Sequence, residues 1–255
     1  MRSNFSKTFW VGIVGIMVFA TQSRAYEAVE DTKGGSISGT VTFVGSPPAP
    51  QKINIDKDVE ICGTHEKFTE NLLVSKKKGI QNVVVSITNI EKGKALVMPE
   101  ENPQLNQKGC WFSPHIQIIP AGATLEILNP DGIMHNIHTL SIENPSFNKA
   151  QPKFKKKMKV TFEFAEIIKV KCDAHNWMGG WIVVAEHPYY ALSDETGSFA
   201  IKDVPPGEYT LEYWHETLGK QTQVITVKAG AETQADIAMK PKVKEKKIKK
   251  TPEEK

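Results

Sequence analysis

The sequence predicts an all-β chain of sandwich or barrel type, and three observations predict it. Apolar residues alternate with a period of two through most of the chain. Clusters of Gly, Pro, Asn and Asp punctuate these runs at short intervals. No amphipathic helix longer than about three turns carries good start and stop signals, and no repeat at the roughly 20–50-residue periods of solenoids is evident. With 255 residues, 40% hydrophobic and 24% charged, the chain has the size of one large or two small domains. That composition excludes both a polytopic membrane protein and a wholly disordered chain.

The elements follow in order. Residues 1–25 read as a secretory signal peptide: Arg2 and Lys7, then the apolar run 9–20 (FWVGIVGIMVFA), then small residues flanking Arg24 up to Ala25. Twelve residues rise only about 18 Å as helix against a hydrocarbon core of about 30 Å, which argues for a cleaved leader over an anchor. Ile37, Val41 and Phe43 share one face of a first strand, and residues 82–87 (NVVVSI) are strongly β-prone. Ile116 and Ile118, Leu125 and Ile127, and Val160, Phe162 and Phe164 mark further strands. Ile168, Val170 and Cys172 alternate, with Lys169 and Lys171 turned outward. Phe199 with Ile201, then Tyr209, Leu211 and Tyr213, and residues 223–228 (QVITVK) complete the pattern.

Residues 240–255 hold eight Lys against three Glu and are expected to be a disordered tail. The net charge of +3 therefore sits at the two ends; residues 26–239 are net acidic. Nucleic-acid binding is not expected, nor is stable membrane insertion.

The chemistry concentrates in residues 170–180 (VKCDAHNWMGG), where Cys172, His175 and Met178 follow one another at the end of a strand. Thiolate and thioether sulfur with imidazole nitrogen suit copper in both oxidation states, a weak axial sulfur disfavouring the tetragonal geometry of Cu(II). A trigonal set needs a second His, and residues 129–136 (NPDGIMHN) offer His135 at a turn entering a strand. Each of these residues alone is as easily a packed core residue; all four in order in an exported β protein point to metal. His138 is expected on the opposite strand face from His135. His115 is left open as a neighbour of the site. His65, His187 and His215 read as structural or exposed. Cys-x-x-Cys-His is absent, which excludes covalent c-type haem, and no GxSxG, HExxH or P-loop occurs, so nothing marks an enzyme.

On these residues the segment 109–187 resembles the cupredoxins, the small blue copper proteins, its short loop being most similar to that of the amicyanins. The resemblance implies a Greek-key sandwich holding one type 1 copper ion through His135, Cys172 and His175, with Met178 axial. Asn136 would tie the two ligand segments together. It implies single-electron transfer with a redox partner such as a c-type cytochrome or a dehydrogenase, with His175 as the exit route within an apolar patch. Ile133, Met134, Trp177, Met178 and Trp181 lie in the right segments for that patch, Trp181 being equally a core residue. The basic run 153–159 (KFKKKMK) would steer an acidic partner.

If Cys172 binds metal, Cys62 and Cys110 remain to pair; pairing of Cys172 with either would destroy the site. A Cys62–Cys110 bridge would contribute on the order of 4 kcal/mol by chain entropy.

Residues 189–213, with a D-x-x-G-x-F strand and a PPG-x-Y turn, resemble the carboxypeptidase regulatory-like, transthyretin-like sandwich. Residues 35–41 (GSISGTV) are similar to its first strand. The layout implied is an N-terminal β segment over 35–108 and a C-terminal one over 188–239, forming one sandwich split around the copper module, similar to exported proteins of methylamine-utilisation type. A copper carrier without electron-transfer duty, and a metal-free binding module, are the alternatives.

Overall fold

The computed structural model describes residues 26–29 and 33–241; the expected signal peptide and nearly all of the Lys-rich tail lie outside them. The first elements are β1 (Glu27–Ala28), β2 (Gly35–Phe43), the one-turn helix α1 (Val59–Cys62), β3 (Val84–Ile87) and β4 (Lys92–Gly93). Then come β5 (Gln104–Asn106), β6 (Ile116–Pro120), β7 (Thr124–Leu128), β8 (His135–Leu140), β9 (Asn148–Gln151) and β10 (Lys157–Thr161). β11 (Glu166–Lys171), β12 (Gly179–Ala185), β13 (Tyr190–Leu192) and β14 (Ser198–Val204) follow. The chain closes with β15 (Gly207–His215), β16 (Gly219–Val227), β17 (Glu232–Gln234) and β18 (Ile237–Met239).

The fold is all-β and consists of two sandwiches, one split in sequence around the other. The split sandwich packs the sheet β13-β3-β15-β16 on β14-β2-β17, with β18 also on β2. Its core is built from the alternating residues of β2 and β15, including Ile37, Val41, Leu211 and Tyr213. A methyl group at Gly39 would lie 2.5 Å from the Ala235 carbonyl oxygen, so this strand position admits only glycine where the chain crosses it. The other sandwich packs β6-β12-β11-β8-β9 on β10-β7-β5 around Leu105, Leu125, Ile127, Ile137, Phe162, Ile168 and Val170. Within the segment 35–108, β2 and β3 belong to the split sandwich while β5 pairs with β7 of the other.

One expectation is corrected. The alternation Val160, Phe162, Phe164 ends at Phe162, which is buried, whereas Phe164 lies past the end of β10 and is exposed. Ile116 and Ile118 share one face of β6, as their alternation implies; that face is the outer one, while Ile119 enters the sandwich core. The outer face carrying Ile116 packs with Val183, Ile167 and Trp181 against Val84, Tyr190, Leu192 and Trp214 of the split sandwich. There Trp181 and Trp214 meet edge to face at 4.8 Å. Glu216 ties the seam, accepting from Trp181 Nε1 at 3.0 Å and bonding the His115 ring.

Between β2 and β3 the chain leaves its sandwich as an arm, residues 51–69. A narrow ladder closes its base, with Ile53 N donating to Lys67 O at 2.8 Å and Thr69 N to Gln51 O at 2.9 Å. Its far end carries Asp58, α1 and Cys62, and reaches the other sandwich, where Cys62 is joined to Cys110. The sequence carries no periodic signal for this arm, and α1 was not expected.

His187 and His215 are both buried, and burial pushes each down to about 4. Each uses Nδ1 as an acceptor, from Tyr189 N in one case and from Thr217 N and Leu218 N in the other, which the protonated ring cannot do. The unfolded chain protonates both near pH 6.5 while the folded chain refuses the protons until about 4. Stability is therefore full above about pH 6.5 and falls as pH drops towards 4, by up to roughly 3 kcal/mol per histidine. Urea denaturation at stepped pH checks this; a flat profile across that window would contradict it.

Candidate metal centre

Each side chain of the centre is set by a strand end. The core face of β11, with Ile168 and Val170, continues to Cys172, so the thiol enters the sandwich. The turn that follows is tight: Met178 N donates to His175 O at 3.0 Å and Cys172 N to Met178 O at 3.1 Å. His135 opens β8, and its inward position puts it against the same turn. His135, Cys172 and His175 are essentially fully buried, and one ligand atom from each lies within 4.8 Å of the others. His135 Nδ1 is 3.0 Å from His175 Nδ1, and Cys172 Sγ is 3.7 Å from His175 Nδ1. Met178 is buried in the same core as Cys172.

The remaining ring nitrogens face carboxylates. His135 Nε2 lies 2.9 Å from Asp131 Oδ2, and His175 Nε2 lies 2.8 Å from Asp58 Oδ2. These partners engage both Nε2 atoms, so the two Nδ1 atoms converge on one point together with the sulfur. Lone pairs that close repel unless a proton or a cation lies between them. A thiol and two imidazoles aimed at one buried point fit a thiophilic d-block ion.

Electrostatics act in the same sense. Burial pushes the Cys172 thiol up, but the His135 ring and the backbone amides around the turn outweigh it and hold the thiol below its ordinary value. Burial would lower His135, yet Asp131 and the Cys172 sulfur raise it; burial lowers His175 against the pull of Asp58. Burial raises Asp131, and the His135 ring with the Cys110 and Gly109 amides lowers it overall.

Asn136 joins the two segments. Its Oδ1 accepts from Asp173 N at 2.7 Å and Ala174 N at 3.1 Å and lies 3.3 Å from Cys172 Sγ, while its Nδ2 donates to Asn148 Oδ1. His138 stands outside the cluster, its Nδ1 2.9 Å from Asp173 Oδ2; Lys171 first, then His138, hold that carboxyl at about 2. His115 also stands outside, in the seam between the sandwiches.

The expectation that His175 reaches the surface within an apolar patch is corrected. His175 presents no edge to solvent, because the arm covers it and Asp58 takes its Nε2. The exposed apolar surface lies instead beside His135, where Ile133, Met134, Pro152 and Phe154 line a groove of about 600 Å³ with Lys57, Asp58 and Lys153. Met134 is 52% and Phe154 81% exposed, whereas Met178 is buried and Trp177 packs on His175 at 5.2 Å. Two functional residues were missed from the sequence. Asp131 had a signal, standing in a turn four residues before His135; Asp58 had none.

Residues 178–240 match the family described as carboxypeptidase regulatory-like domain, a stretch that starts at the strand leaving the Cys172 turn and runs through β18. The sequence finds no match among curated proteins. Among solved structures, the chain is similar to the copper-containing nitrite reductase of Thermus scotoductus SA-01, at 22% identity and a TM-score of 0.30. That match covers 36% of this chain and only 24% of the reductase. A purple cupredoxin from Nitrosopumilus maritimus overlaps at 23% identity and a TM-score of 0.29, over 33% of this chain and 100% of its own. A reduced amicyanin mutant overlaps at 18% identity and a TM-score of 0.31, over 34% and 86%.

Replacing Asn136 by Ala leaves two backbone amides without their acceptor and is expected to lower stability by about 2–3 kcal/mol. Urea denaturation of the variant checks this; an unchanged midpoint would show that water replaces the side chain.

Proposed function

We propose that this chain is an exported single-electron carrier, with one type 1 copper ion held by His135, Cys172 and His175 and weakly by Met178. The observation that carries the reading is the convergence of one thiol and two Nδ1 atoms on a buried point. Copper bound there would supply a one-electron couple between Cu(II) and Cu(I). The protein's part is to keep the donors still. Asp131 and Asp58 fix the ring orientations, Asn136 fixes the turn, and the sandwich around them leaves little room to rearrange between oxidation states.

Retention is favoured over delivery of copper, since none of the three donors offers an exposed edge for exchange. Export is supported by the Cys62–Cys110 disulfide, and no helix among the described residues is long and apolar enough to cross a membrane. The partner, a c-type cytochrome or dehydrogenase, would dock at the Met134–Phe154 groove, where Met134 adjoins His135 in the chain. Lys153, Lys155 and Lys156 are exposed there and would draw an acidic surface.

Cys172→Ser is expected to stay folded and to abolish the thiolate-to-copper absorption of the oxidised, copper-loaded protein. An unchanged visible spectrum would remove Cys172 from the ligand set. Met178→Leu is expected to keep its copper and to raise the reduction potential measured by voltammetry, because an axial thioether bond is weak. Loss of all copper from that variant would give Met178 a larger share of the binding than this reading allows.

A further inference from the structure

The arm brings a second pair of sulfurs to the centre. The sulfurs of Cys62 and Cys110 and a ring nitrogen of His175 lie within 4.8 Å of one another, and all three residues are fully buried. The Cys110 sulfur stands within the same range of His135. Joined as a disulfide, the two sulfurs are poor donors; as thiolates they would be soft ligands already grouped around an imidazole.

Both cysteines are also held by contacts that do not depend on the bond between them. Cys62 N donates to Asp58 O at 2.8 Å, Cys62 O accepts from Lys67 Nζ at 2.8 Å, and the ladder at the base of the arm holds the rest. On the other side, Asp131 takes the amides of Gly109 and Cys110 at 2.7 and 2.8 Å, and Trp177 Nε1 donates to Cys110 O at 3.2 Å. These anchors keep the two sulfurs facing His175 when the bond opens. A groove of about 870 Å³, lined by Lys67, Phe68, Gly109 and Trp111 among others, borders both neighbours of Cys110 in the chain and is the side from which a reductant would approach.

We propose that Cys62, Cys110 and His175 form a second soft-metal site, closed as the disulfide and opened by a dithiol, and that it takes Cu(I). In the opening step a dithiol reductant is oxidised to its own disulfide and the Cys62–Cys110 bond becomes two thiols, two electrons and two protons passing to the protein. Binding of Cu(I) then releases a proton from each thiol. The site shares His175 with the set proposed above, so it rests on that reading only for the competition between them and needs no Cys172.

The test uses the full-length Cys172→Ser protein, in which the first set has lost its thiolate and the only thiols are those of the opened Cys62–Cys110 pair. Before reduction it is expected to hold no Cu(I) against bicinchoninate. After anaerobic reduction with a dithiol and desalting, thiol titration should show the opened pair, and the protein should retain one equivalent of Cu(I) with two sulfurs and one nitrogen by X-ray absorption. Adding His175→Asn should weaken that retention at least about tenfold, the loss of one imidazole donor. Equal Cu(I) retention before and after reduction would overturn the proposal. So would indifference to His175→Asn, a disulfide that cannot be opened in the folded protein, or opening that exposes the arm to trypsin. Failure of the first reading is separate: it would show in the untreated natural sequence as no thiolate-to-copper absorption.

Discussion

Two imidazole nitrogens held 3.0 Å apart inside a protein, each with its other nitrogen committed to a carboxylate, set the terms for everything around them. Two nitrogens that close need a proton or a cation between them, and the pair is buried from water. The chain maintains it from three directions. β11 delivers the sulfur, β8 delivers one ring, and the arm from the split sandwich pins the other. A proton or a cation satisfies the pair equally, and in either case both rings and the sulfur stay aimed at one buried point, so the donor geometry carries more weight here than the donor identities.

The centre also explains the traffic of hydrogen bonds beneath it. The Asp131 carboxylate is shared between His135 and the amides of Gly109 and Cys110, so His135 and the disulfide loop are positioned by the same two oxygens. Asn136, next to His135 in the chain, reaches across to the Cys172 turn. One short segment, residues 129–136, therefore orients both the ligand turn and the loop that holds the arm.

Much of this was legible in the sequence, and the boundary is physical. Period-two runs such as Ile168, Val170 and Cys172 declare which face is buried, and a buried thiol followed by His175 and Met178 declares the turn. The pairing of Cys62 with Cys110 followed from assigning Cys172 elsewhere. The arm was not legible because nothing local specifies it. Asp58 adopts a left-handed backbone conformation with φ of 48°, and its partner His175 lies 117 residues away. Tertiary contacts of that span leave no periodic trace, and the same holds for the seam where Trp181 meets Trp214. For the same reason the sequence alone suggests an exposed His175, whereas the arm covers it.

The arm has a consequence for how the two halves are inherited. It is an excursion between two strands of one sandwich, yet it roofs a cluster belonging to the other. A fragment trimmed to residues 109–187 would retain all the donors and lose their ceiling, leaving His175 open to bulk solvent. The modules are thus not interchangeable parts joined end to end. Through its arm, the outer one closes over the inner one's cluster.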